Sequence, residues 1–182
     1  MDTTPNIEVQ NIVASVDLNT ELDLVELGTL LDEAEYNPDS FPALIVKLKE
    51  PKVSFLVFRN GKINCTGAKS VEMAEEGVAE LVRRLKAVGI EIETTPEIIV
   101  TNVVATVDLG VTLNLDEIAL NIENIEYEPE QFPGLVYKPY GSRISVLVFG
   151  TGKLVLAGMK HSSDAIGIVN GLMQRLTDLG LM

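Results

Sequence analysis

The chain has 182 residues, 46% hydrophobic and 23% charged, the balance of a globular protein and not of a disordered one. Fourteen basic against 27 acidic residues leave a net charge of −13, which over the whole molecule argues against a polyanionic partner. A single cysteine, Cys65, and a single histidine, His161, exclude a disulfide framework, a cysteine-rich metal site and most catalytic triads, and no apolar run reaches the roughly 18 residues of a membrane span.

The chain starts MDTTPNIE, acidic and polar where a signal peptide is basic and then apolar, so a cytoplasmic location is expected. After a tail at residues 1–6, the alternating β-branched run Asn11–Leu18 predicts a strand. Asp23-Leu-Val-Glu26 carries a capping-box signature, and Leu24, Leu27 and Leu31 follow at helical spacing. Three strand-like runs come next, Ala43–Leu48, Val53–Phe58 and Lys62–Gly67, separated by turns that hold Pro or Gly. An amphipathic helix through Ala74, Val78, Leu81, Leu85 and Val88 then closes at Gly89.

Past the short stretch Ile92–Glu97 the same order returns. A strand at Asn102–Leu109 precedes the capping signature Asn114-Leu-Asp-Glu117 and a helix through Leu115, Ile118 and Ile122. Strands follow at Leu135–Lys138, Ile144–Phe149 and Lys153–Gly158, and a helix through Ala165, Val169, Leu172, Leu176 and Leu179 ends at Gly180. Shifting the chain by 91 residues lays 7–91 on 98–182 without a gap, and 32 of the 85 aligned positions are identical. The chain is therefore a duplicated module: repeat 1 at 7–91, a linker at 92–97, repeat 2 at 98–182. Two copies suggest an internal pseudo-twofold, since solenoids generally need three or more repeats.

Each module reads as an antiparallel sheet with two helices, and two helices cover only one face. In Ser54–Phe58, alternation sends Phe55 and Val57 toward the helices and Ser54, Leu56 and Phe58 the other way. The uncovered face is thus apolar too, as partner surfaces are. The strand-rich segments Phe41–Ser70 and Phe132–His161 hold ten of the fourteen basic residues and one of the 27 acids, Glu50. A basic sheet set apart from acidic helices suits a bound polyanion, although lysines on strand edges also serve to block edge-to-edge pairing. Three other patterns carry no chemistry. The GTGK at Gly150–Lys153 lacks the spacing of a phosphate loop and opens a strand, Asn64-Cys-Thr66 lies in a strand, and Cys65 alternates into the core.

The blocks EYNPDSFPALIVK, FLVFRNGKINCTGAK, EYEPEQFPGLVYK and LVFGTGKLVLAGMK resemble the TATA-box-binding protein family, in both halves independently and from about Asn6 to the end. The short start and second helices without a strongly basic face are similar to archaeal more than eukaryotic members. The resemblance implies an α+β fold in which two pseudo-symmetric repeats form one curved antiparallel sheet, a saddle, with four helices on the convex face and a stirrup loop at each end. It implies a general transcription factor, not an enzyme and without a cofactor, that binds the TATA box of double-stranded DNA in the minor groove and bends it.

Position by position, the resemblance makes Phe41 with Phe58, and Phe132 with Phe149, wedges between base steps. Val13, Leu56, Val104, Leu147 and Val155 match an apolar floor, which suits A·T pairs because a guanine amine buried there would have no partner. Asn11 and Asn102 match asparagines that bond base acceptors, with the capping of a β-bulge as the alternative for either. Lys47, Lys62, Lys138 and Lys153 match phosphate contacts. Two positions depart from the family pattern: Ala157 stands where repeat 1 keeps Thr66 and the family usually has Thr, and Asn64 stands where an apolar residue is usual. The loop Glu128-Pro-Glu130-Gln131 matches the surface for transcription factor B, with RNA polymerase recruited after it. A nucleoid-associated protein is implied, and the exposed apolar face separately predicts self-association, as a homodimer, when DNA is absent. The rival reading is a protein-binding scaffold of the same fold. An enzyme using the sheet as a platform is disfavoured by the lack of clustered His, Cys or paired acids there.

Overall fold

The structure, a computed structural model, describes residues 5–93 and 95–182. Residues 1–4 of the expected tail and residue 94 of the expected linker lie outside the described residues. The described residues form two compact units, one of Asn11–Thr101 and one of Asn102–Met182 together with residues 5–10. Each unit therefore holds most of one repeat and a short piece of the other repeat's first strand.

In the first unit the strands are β1 (Ile7–Asp17, of which Asn11 onward lies here), β2 (Ala34–Glu35), β3 (Leu44–Lys47), β4 (Ser54–Val57) and β5 (Lys62–Ala68). They are antiparallel in the order β2-β3-β4-β5-β1. Helices α1 (Leu24–Leu30) and α2 (Val71–Ala87) complete the unit. The second unit repeats this with β6 (Ile99–Asp108, from Asn102 onward), α3 (Leu115–Asn121), β7 (Ile125–Glu126), β8 (Leu135–Tyr137), β9 (Ser145–Val148), β10 (Lys153–Met159) and α4 (Asp164–Asp178). Its strand order is β7-β8-β9-β10-β6.

The first strands start earlier than alternation predicts. Ile7–Gln10 extend β1 within the second unit, where the Gln10 side-chain amide donates to Thr106 Oγ1 at 3.0 Å. Ile99–Thr101 do the same for β6 in the first unit, where Thr101 Oγ1 donates to the Val13 carbonyl at 3.2 Å. The two-residue strands β2 and β7 were not among the expected elements, being too short to show any periodicity.

Local chemistry accounts for the helices. Asp23 Oδ1 accepts from the Val25 and Glu26 amides at 3.1 Å each, and Asn114 Oδ1 from the Glu117 amide at 3.3 Å. Both short helices then stop where the chain turns through a positive φ, 60° at Glu33 and 61° at Asn124. The long helix α2 is capped by Ser70, whose Oγ accepts from the Met73 amide at 3.1 Å. It buries Ala74, Gly77, Val78, Leu81 and Leu85; the matching α4 buries Ala165, Val169, Leu172 and Leu176. Their counterparts are the inward strand residues: Ile12, Ala14, Val16, Leu44, Val46, Phe55, Val57, Ile63 and Cys65 in the first unit. No polar or charged side chain is buried among the described residues, so each core is held by apolar packing. No described helix is long and apolar enough to cross a membrane.

Candidate nucleic-acid interface

Alternation that buries one side of each strand sends the other side out. In β4, Phe55 and Val57 are buried while Ser54 and Leu56 are half-buried, and in β9 Val146 and Val148 are buried while Ser145 and Leu147 are half-buried. Across the first unit, backbone pairing aligns Ser15, Asn64, Leu56 and Ile45 in one row on the open face. In the second unit the equivalent row is Thr106, Val155, Leu147 and Val136. Val13 and Val104 lie on the same faces, half-buried. Every floor residue expected from the sequence is thus on the open face, and Ser15, Ile45, Thr106 and Val136 join them unforeseen. Alternation alone would have found those four had it been extended to every strand.

At one end of each open face stands an aromatic pair. Phe58 follows β4, with its amide bonded to the Lys62 carbonyl at 2.9 Å and its own carbonyl accepting from Gly61 at 3.0 Å. Phe41 ends the loop after β2, with its amide on the Asn37 carbonyl at 3.0 Å. The two rings meet edge to face, centroids 6.4 Å apart and planes at 62°. Phe149 and Phe132 repeat every one of these bonds, through Lys153, Gly152 and Glu128, and their centroids are 5.9 Å apart at 66°. Phe41 and Phe132 are each 41% exposed. An edge-to-face pair contributes about 0.5–1.5 kcal/mol beyond its burial, so these rings hold one another in place while staying in solvent.

The asparagines take a mixed role. Asn11 Oδ1 accepts from the Gly67 amide at 2.8 Å, and Asn102 Oδ1 from the Gly158 amide at 2.8 Å. Both glycines sit at a β-bulge with positive φ, 93° and 89°, where the strand register slips. The side-chain carbonyls therefore cap the bulges, as one of the two readings anticipated, and that fixes the amide NH2 on the open face. In the first unit this NH2 lies 3.2 Å from Thr66 Oγ1. In the second, Ala157 offers no such partner, and the Asn102 NH2 makes no hydrogen bond among the described residues.

Lys47, Lys62, Lys138 and Lys153 are all exposed. Lys62 faces Asp17 across β1 and β5, and Lys153 faces Asp108 across β6 and β10. Neither pair forms an ion pair, because Asp17 turns to accept from the Asn19 amide at 2.9 Å and Asp108 from the Gly110 amide at 2.9 Å. Lys138 differs: its Nζ is 2.8 Å from Glu126 Oε1. That pair is exposed at both ends, so its contribution is small and an incoming anion competes with it. In the second unit Gln10, Thr106, Pro133, Phe149, Lys153 and Val155 line a trough of about 1120 Å³. Glu128, Glu130 and Gln131 are exposed on the loop that carries Phe132, away from the strands.

Set against known proteins, this chain matches the family model described as "Transcription factor TFIID (or TATA-binding protein, TBP)" twice, over residues 6–88 and 97–179. It is 49% identical over 161 residues to the TATA-box-binding protein of Methanocaldococcus jannaschii, covering 88% of each chain. It is 48% identical over 178 residues to that of Archaeoglobus fulgidus, covering 97% of each. A solved structure, Methanococcus jannaschii TBP, shares its fold with a TM-score of 0.89 and 45% identity, covering 96% of this chain and 99% of that one.

Proposed function

The chain belongs to the TATA-binding protein family of transcription factors, and from that we propose a mechanism for its open faces. Each face lies in the minor groove of an A·T-rich duplex. There Val13, Leu56, Val104, Leu147 and Val155 press on the base edges, and the NH2 groups of Asn11 and Asn102 donate to the N3 and O2 acceptors that A·T pairs present. Phe41 with Phe58, and Phe132 with Phe149, enter between base steps and bend the duplex. Unstacking costs a few kcal/mol per step, which the wider apolar contact with bent DNA offsets. Thr66 orients Asn11, Ala157 leaves the Asn102 NH2 without a partner among the described residues, and the four lysines meet phosphates. The loop of Glu128, Glu130 and Gln131 stays clear of the groove and is offered to transcription factor B, with RNA polymerase following. When no DNA is bound, the same apolar faces pair two copies of the chain, and the bound protein is nucleoid-associated.

The observation that carries this reading is the pair of preset aromatic edges, built from the same backbone bonds in both units and left in solvent beside an apolar floor. Energy transfer between the labelled ends of a short TATA-containing duplex tests it, beside a G·C-rich control and a Phe149→Ala variant. The ends approach on the A·T-rich duplex only, and the variant loses the approach while its unfolding midpoint stays within a few degrees. No change of end-to-end distance on either duplex, at any salt concentration, would overturn the mechanism.

A further inference from the structure

Within the two facing rows of the open faces, one position changes from polar to apolar between the units. In the first unit's row the residue between Ser15 and Leu56 is Asn64; in the second, between Thr106 and Leu147, it is Val155. Asn64 is exposed, and its carboxamide makes no hydrogen bond among the described residues. Thr106, the single polar residue of the second row, already accepts from Gln10 at 3.0 Å. One floor therefore presents an uncommitted amide and the other an apolar side chain.

The minor groove distinguishes G·C from A·T by one group, the guanine N2 amine, which is a donor. Over Val155 and Leu147 that donor loses its water and gains no acceptor. Over Asn64 it meets the side-chain carbonyl, and with an A·T pair the same carboxamide turns to donate through its NH2 to N3 or O2. We infer that Asn64 makes this chain accept one G·C pair in its binding element, beneath the first unit, while the matching step beneath the second unit must be A·T. The inference rests on the minor-groove reading above. It makes orientation on an otherwise symmetric element depend on where the G·C pair lies.

Inosine isolates the group concerned, since inosine·cytosine lacks only the N2 amine and presents the minor groove of an A·T pair. The full chain is titrated by fluorescence anisotropy at fixed salt against a palindromic A·T-rich duplex. One position, scanned along the element, carries G·C or inosine·cytosine in one half or in both. On a palindrome the protein turns to bring Asn64 over whichever half holds the guanine. At one position a single G·C then binds within about threefold of its inosine control, while G·C in both halves weakens binding about tenfold or more, the usual size of one unfavourable base pair. Asn64→Val brings the tenfold penalty to the single substitution, and Val155→Asn removes it from the double one. Equal single-substitution penalties in the wild type and Asn64→Val at every position would overturn the inference alone. Failure to bind the all-A·T and inosine duplexes would overturn the minor-groove reading, and this inference with it.

Discussion

Asn11 and Asn102 occupy equivalent positions and make the same bulge bond, yet a single neighbour, Thr66 against Ala157, leaves one amide tethered and the other free. The aromatic pairs differ for a comparable reason. A Cβ on Gly134 would lie 2.8 Å from the Phe132 ring and 3.0 Å from Phe149, whereas the first unit has Ala43 there, and its rings stand further apart. Gly61 and Gly152 hold the turns that present Phe58 and Phe149, with φ of 85° and 86°. A Cβ on Gly61 would fall on the Thr20 carbonyl oxygen, and one on Gly152 on that of Val111. Gly61→Ala is therefore expected to lower stability by about 1–3 kcal/mol, read as a shifted urea midpoint. Cys65 offers a probe of the native core. It is fully buried, and burial pushes its thiol up to about 11, so at pH 8 only about one thiol in a thousand is ionised. Alkylation at pH 8 should be slow in native protein and fast in urea; rapid native alkylation would contradict the buried face of β5.

At the scale of elements, each long helix sits on the buried side of its sheet by a different compromise. Gly77 lets α2 descend on β4, where a Cβ would meet Val53 at 2.7 Å and Phe55 at 3.4 Å. The second repeat has Ile168 in place of Gly77 and Val146 in place of Phe55, so a larger helix residue accompanies a smaller strand residue. The smaller strand residue makes room for part of the larger helix residue, and Ile168 keeps the rest half-exposed. On the outer side of α2, Glu80 bonds Arg83 at 2.7 Å and Arg84 at 2.8 Å. Those two guanidiniums hold its carboxyl down at about 2, against an ordinary value of 4.5. A lowered folded-state pKa adds stability that is present above about 4.5 and lost as pH falls toward 2. Because the cluster faces solvent the effect is small. Glu80→Gln should flatten the fall of Tm between pH 4.5 and 2, and an unchanged slope would show that the bridges contribute nothing.

For the whole molecule, charge is the organising quantity. A net charge of −13 repels DNA at long range, yet the strand-rich segments hold ten of the fourteen basic residues and one acid. Binding should therefore depend on local lysines and weaken with salt: about four to eight neutralised phosphates predict a log–log slope of roughly −4 to −7. A slope near zero would favour a scaffold that uses the same faces for a protein partner. Lys62→Ala and Lys153→Ala should each make the slope shallower by about one.

The duplication, the order of elements, the buried side of each long strand and the segregation of charge were all legible in the amino-acid sequence. Those properties follow from periodicity and identity along the chain, where neighbours are close in number. Candidate floor residues were legible for the same reason, since alternation carries facing information directly. Other features needed tertiary structure. The two-residue strands β2 and β7 exist only because β3 and β8 lie beside them to take their hydrogen bonds. Ile7–Gln10 were read as the start of repeat 1, but fold with the second unit, because strand pairing follows neighbours in space. Asn11 and Asn102 left two readings open, and the bulge geometry shows the capping one: each side-chain carbonyl accepts from a glycine amide. Which side-chain NH2 groups lack a partner among the described residues, those of Asn64 and Asn102 included, depends on atoms brought within about 3 Å from distant parts of the chain, and no spacing rule encodes that distance.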